Sequence, residues 1–458
     1  MIEYLIIGSG PGGAPIGYYL AKNGADCLIL EAGEHLTKDT FPKTEAKSSA
    51  QLYWGGGIEF NKTAKMAFLR AKVVGGTSIV NQCLLDRFDD IAWNDWKADS
   101  GVDYFNKEEM TPYYEKVEEL IDLYTFKPEE RNGNAKIFTE TCDKLGYGWK
   151  YLTRGQNDCG REQGNDCIGC LGGCQRDSKQ STLATYIQKG IKDYGLKIQA
   201  NTYVEKIEHK GDHTVVYAAS NGKQEIFKAK NLILAGGAFG TTELLYKSGF
   251  KDKFPALGKY FSSHPQFMSF GLQEEPVLAH KGYFQTAASH DDNFRAQGFK
   301  LENVYAPPIS TAMLFGFSGK DHQNAMKKYP YYNCMEVAIR DENIGEIKVT
   351  KKGKLVVDKP LTKQDEERRD KGLKVIDNIL TTSGAKEIIA SPFYFGLHLM
   401  GGCVMGVDEK KSVVAPDFKL HGYDNIYVAD SSIFPNAPGI NPSFTIMALS
   451  EKLNEQLN

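Results

Sequence analysis

An α/β fold with an inserted domain built on an antiparallel sheet follows from three features of the 458-residue sequence. The chain opens on an apolar strand, a glycine-rich turn, a helix and a second strand. Apolar strands ending in small residues return in mid-chain as "NLILAGG" and near the end as "NIYVAD". Between these two lie short strands such as "GEIKVTKKGKLVVD" and one amphipathic helix, "DEERRDKGLKVIDNILTTSG", closed by a glycine. The division this predicts is a discontinuous first domain over 1–90, 176–262 and 396–458, a helical and cysteine-rich insertion over 91–175, and a second domain, for substrate, over 263–395.

The opening unit is the most informative. In "EYLIIGSGPGGAPIGYYLAKNGADCLILEAG", Gly8, Gly10 and Gly13 stand at G-x-G-x-x-G spacing between strand and helix, and the second strand runs to Glu31. This is the order of a βαβ dinucleotide-binding unit of Rossmann type. Gly8 allows the tight turn, Gly10 lets the backbone approach a pyrophosphate, and Gly13 lets the helix pack on the strand, while the helix N-terminus faces the phosphate charge. Glu31 is placed to accept from ribose hydroxyls. NAD and FAD use the same device, so the motif leaves the dinucleotide open. A second glycine-rich turn, "RAKVVGGTSIVNQCLLDR", carries Gly75, Gly76, Thr77 and Ser78 ahead of Asn81, a surface suited to a flat ligand. Residues 91–148 read as mostly helical and carry no evident chemistry; alternating short strands then lead into "NLILAGG".

Fifty-five basic residues against fifty-eight acidic ones leave a net charge of −3, which offers no footprint for nucleic acid or an anionic membrane. A 41% hydrophobic composition over this length supports two joined domains with a large core. No apolar run approaches the roughly 20 residues that span a bilayer, and the first strand starts straight after the initiator, so the expectation is a soluble, cytoplasmic protein. Nine cysteines make a poor disulfide framework. Four of them, Cys159, Cys167, Cys170 and Cys174, are spaced C-x7-C-x2-C-x3-C ahead of Lys179. Thiolates so close in sequence resemble iron–sulfur or zinc ligation, and three readings stand: a cluster relaying single electrons, a zinc staple, or thiols that only pack.

Three stretches are similar to signatures of the glucose-methanol-choline (GMC) family of flavin oxidoreductases. Ala71, Lys72, Gly75, Gly76, Thr77, Ser78 and Asn81 match the first signature. Gly237, Ala238, Thr241, Leu244, Leu245, Ser248 and Gly249 match the second in part, with Thr242 and Phe250 departing from it. "HLMGGCVMG" and "NIYVADSSIFPNAPGINPSFTIMAL" resemble the family's C-terminal elements, the Gly-Gly-Cys form leaning towards a cholesterol-oxidase-like branch. The resemblance implies FAD as cofactor, oxidation of a primary or secondary alcohol, and a His/Asn pair, His398 and Asn441, on the substrate side of the flavin. Relatives use the cysteine segment for a cluster only in some cases, such as multi-subunit glucose dehydrogenases.

Oxidising an alcohol this way requires a base for the hydroxyl proton while the hydride goes to flavin N5. Imidazole, with an ordinary pKa near 6.5, suits that task, which falls to His398. Asn441 would cap the helix "SFTIMALSEKLN" as N-cap, with Pro442 at N1 and the helix dipole aimed at the flavin's N1–C2=O edge, and would either hold the substrate oxygen as well or do no more than cap. The family pattern gives Asp430 and Ser431 to the ribityl chain and pyrophosphate, although an aspartate at a strand end also starts helices. By the same analogy Val204 presents backbone atoms to the adenine, and His264 is structural. The substrate is a sugar, a sterol or a long-chain alcohol, and the electron acceptor is O2 or a redox partner. A flavin-containing lyase and an electron-transfer flavoprotein are the competing functions.

Overall fold

The computed structural model describes residues 1–159, 169–283 and 285–457. One sheet forms the first domain. Its strands run in the order Lys197–Gln199, Cys27–Leu30, Ile2–Ile7, Lys223–Leu234, Thr214–Ser220 and Thr202–His209, and Ile426–Val428 pairs with the far half of Lys223–Leu234. The first four strands and Ile426–Val428 are parallel, and their side chains Leu5, Ile6, Ile29, Leu232, Ile233 and Val428 are fully buried, as both faces of such a sheet demand. Helices Gly13–Lys22 and Ser443–Leu457 stack on each other over it, and Ser450 Oγ donates to the Gly12 carbonyl at 2.9 Å.

The second sheet is ordered Glu59–Phe60, Met66–Phe68, Glu387–Met400, Ser262–Leu272, Tyr332–Ile339, Phe299–Asn303, Ala287–Ser289 and Trp149–Tyr151. Its central strands are antiparallel, and alternation sorts their side chains. Phe267, Phe299, Leu301, Met335, Val337 and Ile339 point down into a core closed by Ile376, Ile379 and Leu380 of the helix Lys363–Thr382. That helix opens on a capping box between Thr362 and Asp365, each side chain accepting from the other's backbone N–H. Gln266, Lys300, Glu302, Glu336 and Ala338 occupy the opposite, upper face.

The sheets divide the chain more finely than the expected boundaries. Glu59–Phe60 and Met66–Phe68, inside the segment given to the first domain, belong to the second sheet: Met66 and Ala67 pair with Tyr394 and Phe395, which buries Met66 and Phe68 beside Phe239 and Phe261. Trp149–Tyr151 leaves the insertion to form the opposite edge, and the strand Glu387–Met400 crosses the boundary at 395. Three helices, Asp90–Ser100, Lys107–Glu118 and Gly133–Leu145, fill most of the stretch before it. No helix among the described residues is long and apolar enough to cross a membrane.

Candidate active site

The glycine turn after the first strand is built by close contact. Gly8 sits at φ +104°, and a Cβ on it would lie 2.3 Å from the Ala235 oxygen; one on Gly13 would lie 2.1 Å from the Gly8 oxygen. Both positions exclude any other residue. The second turn, with Gly75 at φ +96° and Gly76 at +55°, packs on the first: a Cβ on Gly76 would lie 2.8 Å from Gly10 Cα, and Gly75 N–H donates to Ser9 Oγ at 3.0 Å. Glu31 stands behind them. Its Oε2 accepts from Ser9 N (3.1 Å) and Ser9 Oγ (2.7 Å), and its Oε1 from Gly33 N (2.8 Å). Burial nevertheless pushes this carboxyl above its ordinary pKa.

A single cavity of about 1130 Å³ runs from these turns to the C-terminal segment. Gly8, Gly10, Glu31, Gly76, Thr77, Asn81 and Val204 line it, as do Asp430, Ser431, Pro442, His398 and Asn441 from the C-terminal region. Gly13, Gly75 and Ser78 stand behind the wall. Ser78 Oγ donates to the Gly75 carbonyl at 2.6 Å and accepts from Thr182 N at 3.0 Å, so it shapes the second turn. Asp430 reaches the cavity, yet Oδ2 accepts from Gly237 N (2.8 Å) and Thr241 Oγ1 (2.5 Å) and Oδ1 from Ser432 N (2.8 Å); Ser431 Oγ donates to the Leu399 carbonyl at 2.7 Å. These side chains brace the helix start Gly237–Lys247 and the strand bearing His398.

His398 lies where the two longest strands of the second sheet fall out of step. Ser262 pairs with Met400 but His264 with Leu397, a bulge that leaves His398 at φ +57°. A side chain other than glycine held there is strained, and bulges of this kind re-aim side chains. His264, expected to be structural, meets His398 directly: their Nδ1 atoms are 2.9 Å apart. Gly439 N–H donates to His264 Nε2 at 2.8 Å. Neutral His264 therefore carries its proton on Nδ1 and donates it to His398 Nδ1, which leaves the proton of His398 on Nε2. An ordinary imidazole would titrate near 6.5, as expected of this base. Burial, followed by the charge of Lys300, brings His398 down to about 3, so the ring stays neutral in use.

Asn441 is also placed differently from expectation. The first intrahelical bond of Ser443–Leu457 runs from Ile446 N to the Pro442 carbonyl at 2.9 Å, which makes Pro442 the N-cap and puts Asn441 one residue before it. The Asn441 side chain does not turn back to cap because its Oδ1 accepts from Lys300 Nζ at 2.8 Å. Lys300 pairs in turn with Glu302 Oε1 at 2.5 Å, and Gln285 Nε2 donates to Glu302 Oε2 at 2.5 Å. Glu336 lies directly across the strands from Glu302, and burial together with that neighbour's charge raises it well above its ordinary pKa. With Gln266, these residues make a polar floor under the cavity; Met268, Tyr305, Pro307, Met313 and Phe395 make its apolar wall.

Nothing in the sequence pattern marks this floor. In "FKLEN" and "YNCMEVAI" the charged residues alternate with apolar ones as on any solvent-facing strand, and only the second sheet's position under the cavity turns that face inward. Among the cysteines, Cys167 lies outside the described residues. Cys170 Sγ accepts from Arg154 Nη2 (3.2 Å), Cys159 Sγ from Ser178 Oγ (3.2 Å) and Cys174 Sγ from Lys179 N (3.5 Å). No group of three or more His, Cys, Asp or Glu among the described residues is arranged to hold a metal ion, so the iron–sulfur and zinc readings gain no support. Lys179 Nζ instead ties the segment to the second turn through the carbonyls of Ile79 (2.5 Å), Asn81 (3.0 Å) and Cys170 (2.7 Å).

Comparison with known proteins matches residues 49–266 and 345–450 to the N- and C-terminal models of the GMC oxidoreductases, and residues 6–66 to an NAD(P)-binding Rossmann-like domain. An uncharacterised GMC-type oxidoreductase of Sinorhizobium fredii is 26% identical over 99% of this chain and 94% of its own length. A long-chain-alcohol oxidase of Arabidopsis thaliana is 24% identical over 98% of this chain and 67% of its own. The solved structure of a pyridoxine 4-oxidase from Mesorbium loti shares the fold with a TM-score of 0.76 at 15% identity, covering 100% of this chain and 99% of that one. The two family models together span most of the sequence, and the second includes both His398 and Asn441; the chain belongs to the GMC oxidoreductase family and is an oxidoreductase.

Proposed function

We propose that the protein is an FAD-dependent oxidoreductase that converts a primary or secondary alcohol to the aldehyde or ketone. The observation that carries this reading is that one cavity joins a dinucleotide cradle to a histidine and an asparagine. The cradle suits FAD. Gly10 and Gly76 leave backbone without side chains at the turn, Glu31 retains lone pairs for ribose hydroxyls, Val204 lines the cavity and would meet the adenine, and the helix after Pro442 points its positive end into the cavity. When bound, FAD supplies the acceptor for the carbinol hydride.

The chain's own residues manage the oxygen. Asn441 Oδ1 is held by Lys300, so its Nδ2 is the group left to donate to the substrate oxygen. His398 takes the hydroxyl proton at Nε2 from the tautomer whose own hydrogen sits on Nδ1. To reach that form, His264 shifts its hydrogen to Nε2 and loses the bond from Gly439 N–H, at a cost of about 1–3 kcal/mol. The buried site strengthens both hydrogen bonds as charge develops on the oxygen. The alcohols oxidised by relatives and the apolar wall support an apolar tail on the substrate, with the polar floor meeting its reacting end.

The test is a panel of sugars, sterols and long-chain alcohols presented to FAD-loaded protein with an artificial electron acceptor, in air and without it. Turnover of at least one alcohol supports the reading, and turnover in air without the dye identifies O2 as acceptor. Retention of FAD with no reduction by any alcohol class would overturn it.

A further inference from the structure

Asn441 can serve the reaction in only one of its two amide orientations, and the structure contains a group that selects it. A lysine ammonium carries donors and no acceptor, so the atom of Asn441 that Lys300 Nζ touches at 2.8 Å must be the carbonyl oxygen. Lys300 is itself held on both sides. Its strand neighbours Phe299 and Leu301 are locked in the core below, its side chain is 21% exposed, and Glu302 Oε1 grips the ammonium at 2.5 Å. Glu302 is anchored in turn by Gln285. On the other side, Pro442 begins the terminal helix and fixes the backbone that bears the amide.

We propose that Lys300 is a positioning residue that holds the Asn441 carboxamide with its nitrogen toward the cavity, where it donates to the substrate oxygen. Without Lys300 the amide is free to turn over and present its own oxygen to the oxygen of the substrate, which repels where it should bind. This rests on the alcohol-oxidation reading for its catalytic consequence, but the orientation can be measured without turnover.

Acetate, which offers only acceptor oxygens, is titrated against FAD-loaded protein, with binding read from the perturbed visible spectrum of the flavin. K300M, N441A, their double variant and K300R are compared. K300M leaves the Glu302 carboxylate without its counter-ion, with only Gln285 to hold it, so K300M/E302Q, which removes that charge, runs beside it as the variant expected to fold. K300M or K300M/E302Q should weaken acetate binding about ten- to a hundredfold, the scale of a lost hydrogen bond to an anion. N441A should do the same, the double variant should be no weaker than N441A, and K300R, which keeps a donor, should stay within a fewfold of wild type. An unchanged affinity in the lysine variants would overturn the proposal. So would losses in K300M and N441A that multiply in the double variant, because Lys300 would then act on the ligand directly. Failure of the alcohol-oxidation reading shows up elsewhere, as wild-type flavin that no alcohol reduces, and leaves the acetate result standing.

Discussion

Lowering the pH from 8 to 5 should leave the oxidation of a neutral alcohol almost unchanged. The base His398 lies in a buried site, and burial and the Lys300 ammonium bring it down to about 3 from its ordinary 6.5. A base of pKa 6.5 would be about 3% unprotonated at pH 5, while one of pKa about 3 would be about 99% unprotonated. The second-order rate constant for anaerobic flavin reduction, followed by stopped flow, is therefore expected to fall less than about twofold, against roughly thirtyfold for an ordinary histidine. The sign is that activity is lost as pH falls through about 3, when His398 is already protonated and can no longer accept the proton of the substrate. Burial and the neighbouring His398 lower His264 as well. Glu336 is the neighbour pushed upward, by burial and by Glu302, so E336Q is run as a control and should give the same flat profile. An acid limb with its midpoint near 6.5 in both proteins would refute the reasoning.

Two further outcomes follow from particular contacts. Gly12→Ala should destroy FAD binding and lower the melting temperature sharply, because the new Cβ would lie 1.8 Å from the Ala429 oxygen; calorimetry and flavin absorbance read both effects. Glu451, buried beside Tyr186, is raised by desolvation to about 8 from 4.5. Its stabilising contribution is complete below pH 4.5 and is lost as pH rises through about 8, so Glu451→Gln should match wild type at pH 4 and exceed it at pH 9. The difference grows by up to about 1.4 kcal/mol per pH unit, measurable by denaturant unfolding.

The dinucleotide unit was legible because its chemistry is local. Gly8, Gly13 and Glu31 sit within one short stretch, and each does its work through contacts that the spacing itself dictates. His398 and Asn441 were legible as residues through the family pattern, but their states were not. The tautomer of His398 comes from His264 and Gly439, its weak basicity from burial and the Lys300 charge, and the amide orientation of Asn441 again from Lys300, partners far away in sequence that meet only after two sheets close on each other. The helix start shifted by one residue for the same reason, since the asparagine side chain found a stronger partner than its own backbone. Strand membership of Met66–Phe68 was hidden too. Three residues carry little periodicity, and their place is decided by Phe239 and Phe261 across the core.

The central claim, that His398 and Asn441 act on an alcohol over a flavin held in this cavity, is tested most directly by anaerobic mixing of alcohol with FAD-loaded wild-type, His398→Ala and Asn441→Ala proteins. The flavin absorbance near 450 nm should bleach in wild type, and in each variant the bleaching rate should drop by about 10²–10⁴-fold with FAD content and melting temperature unchanged. Equal bleaching rates in all three proteins would contradict it.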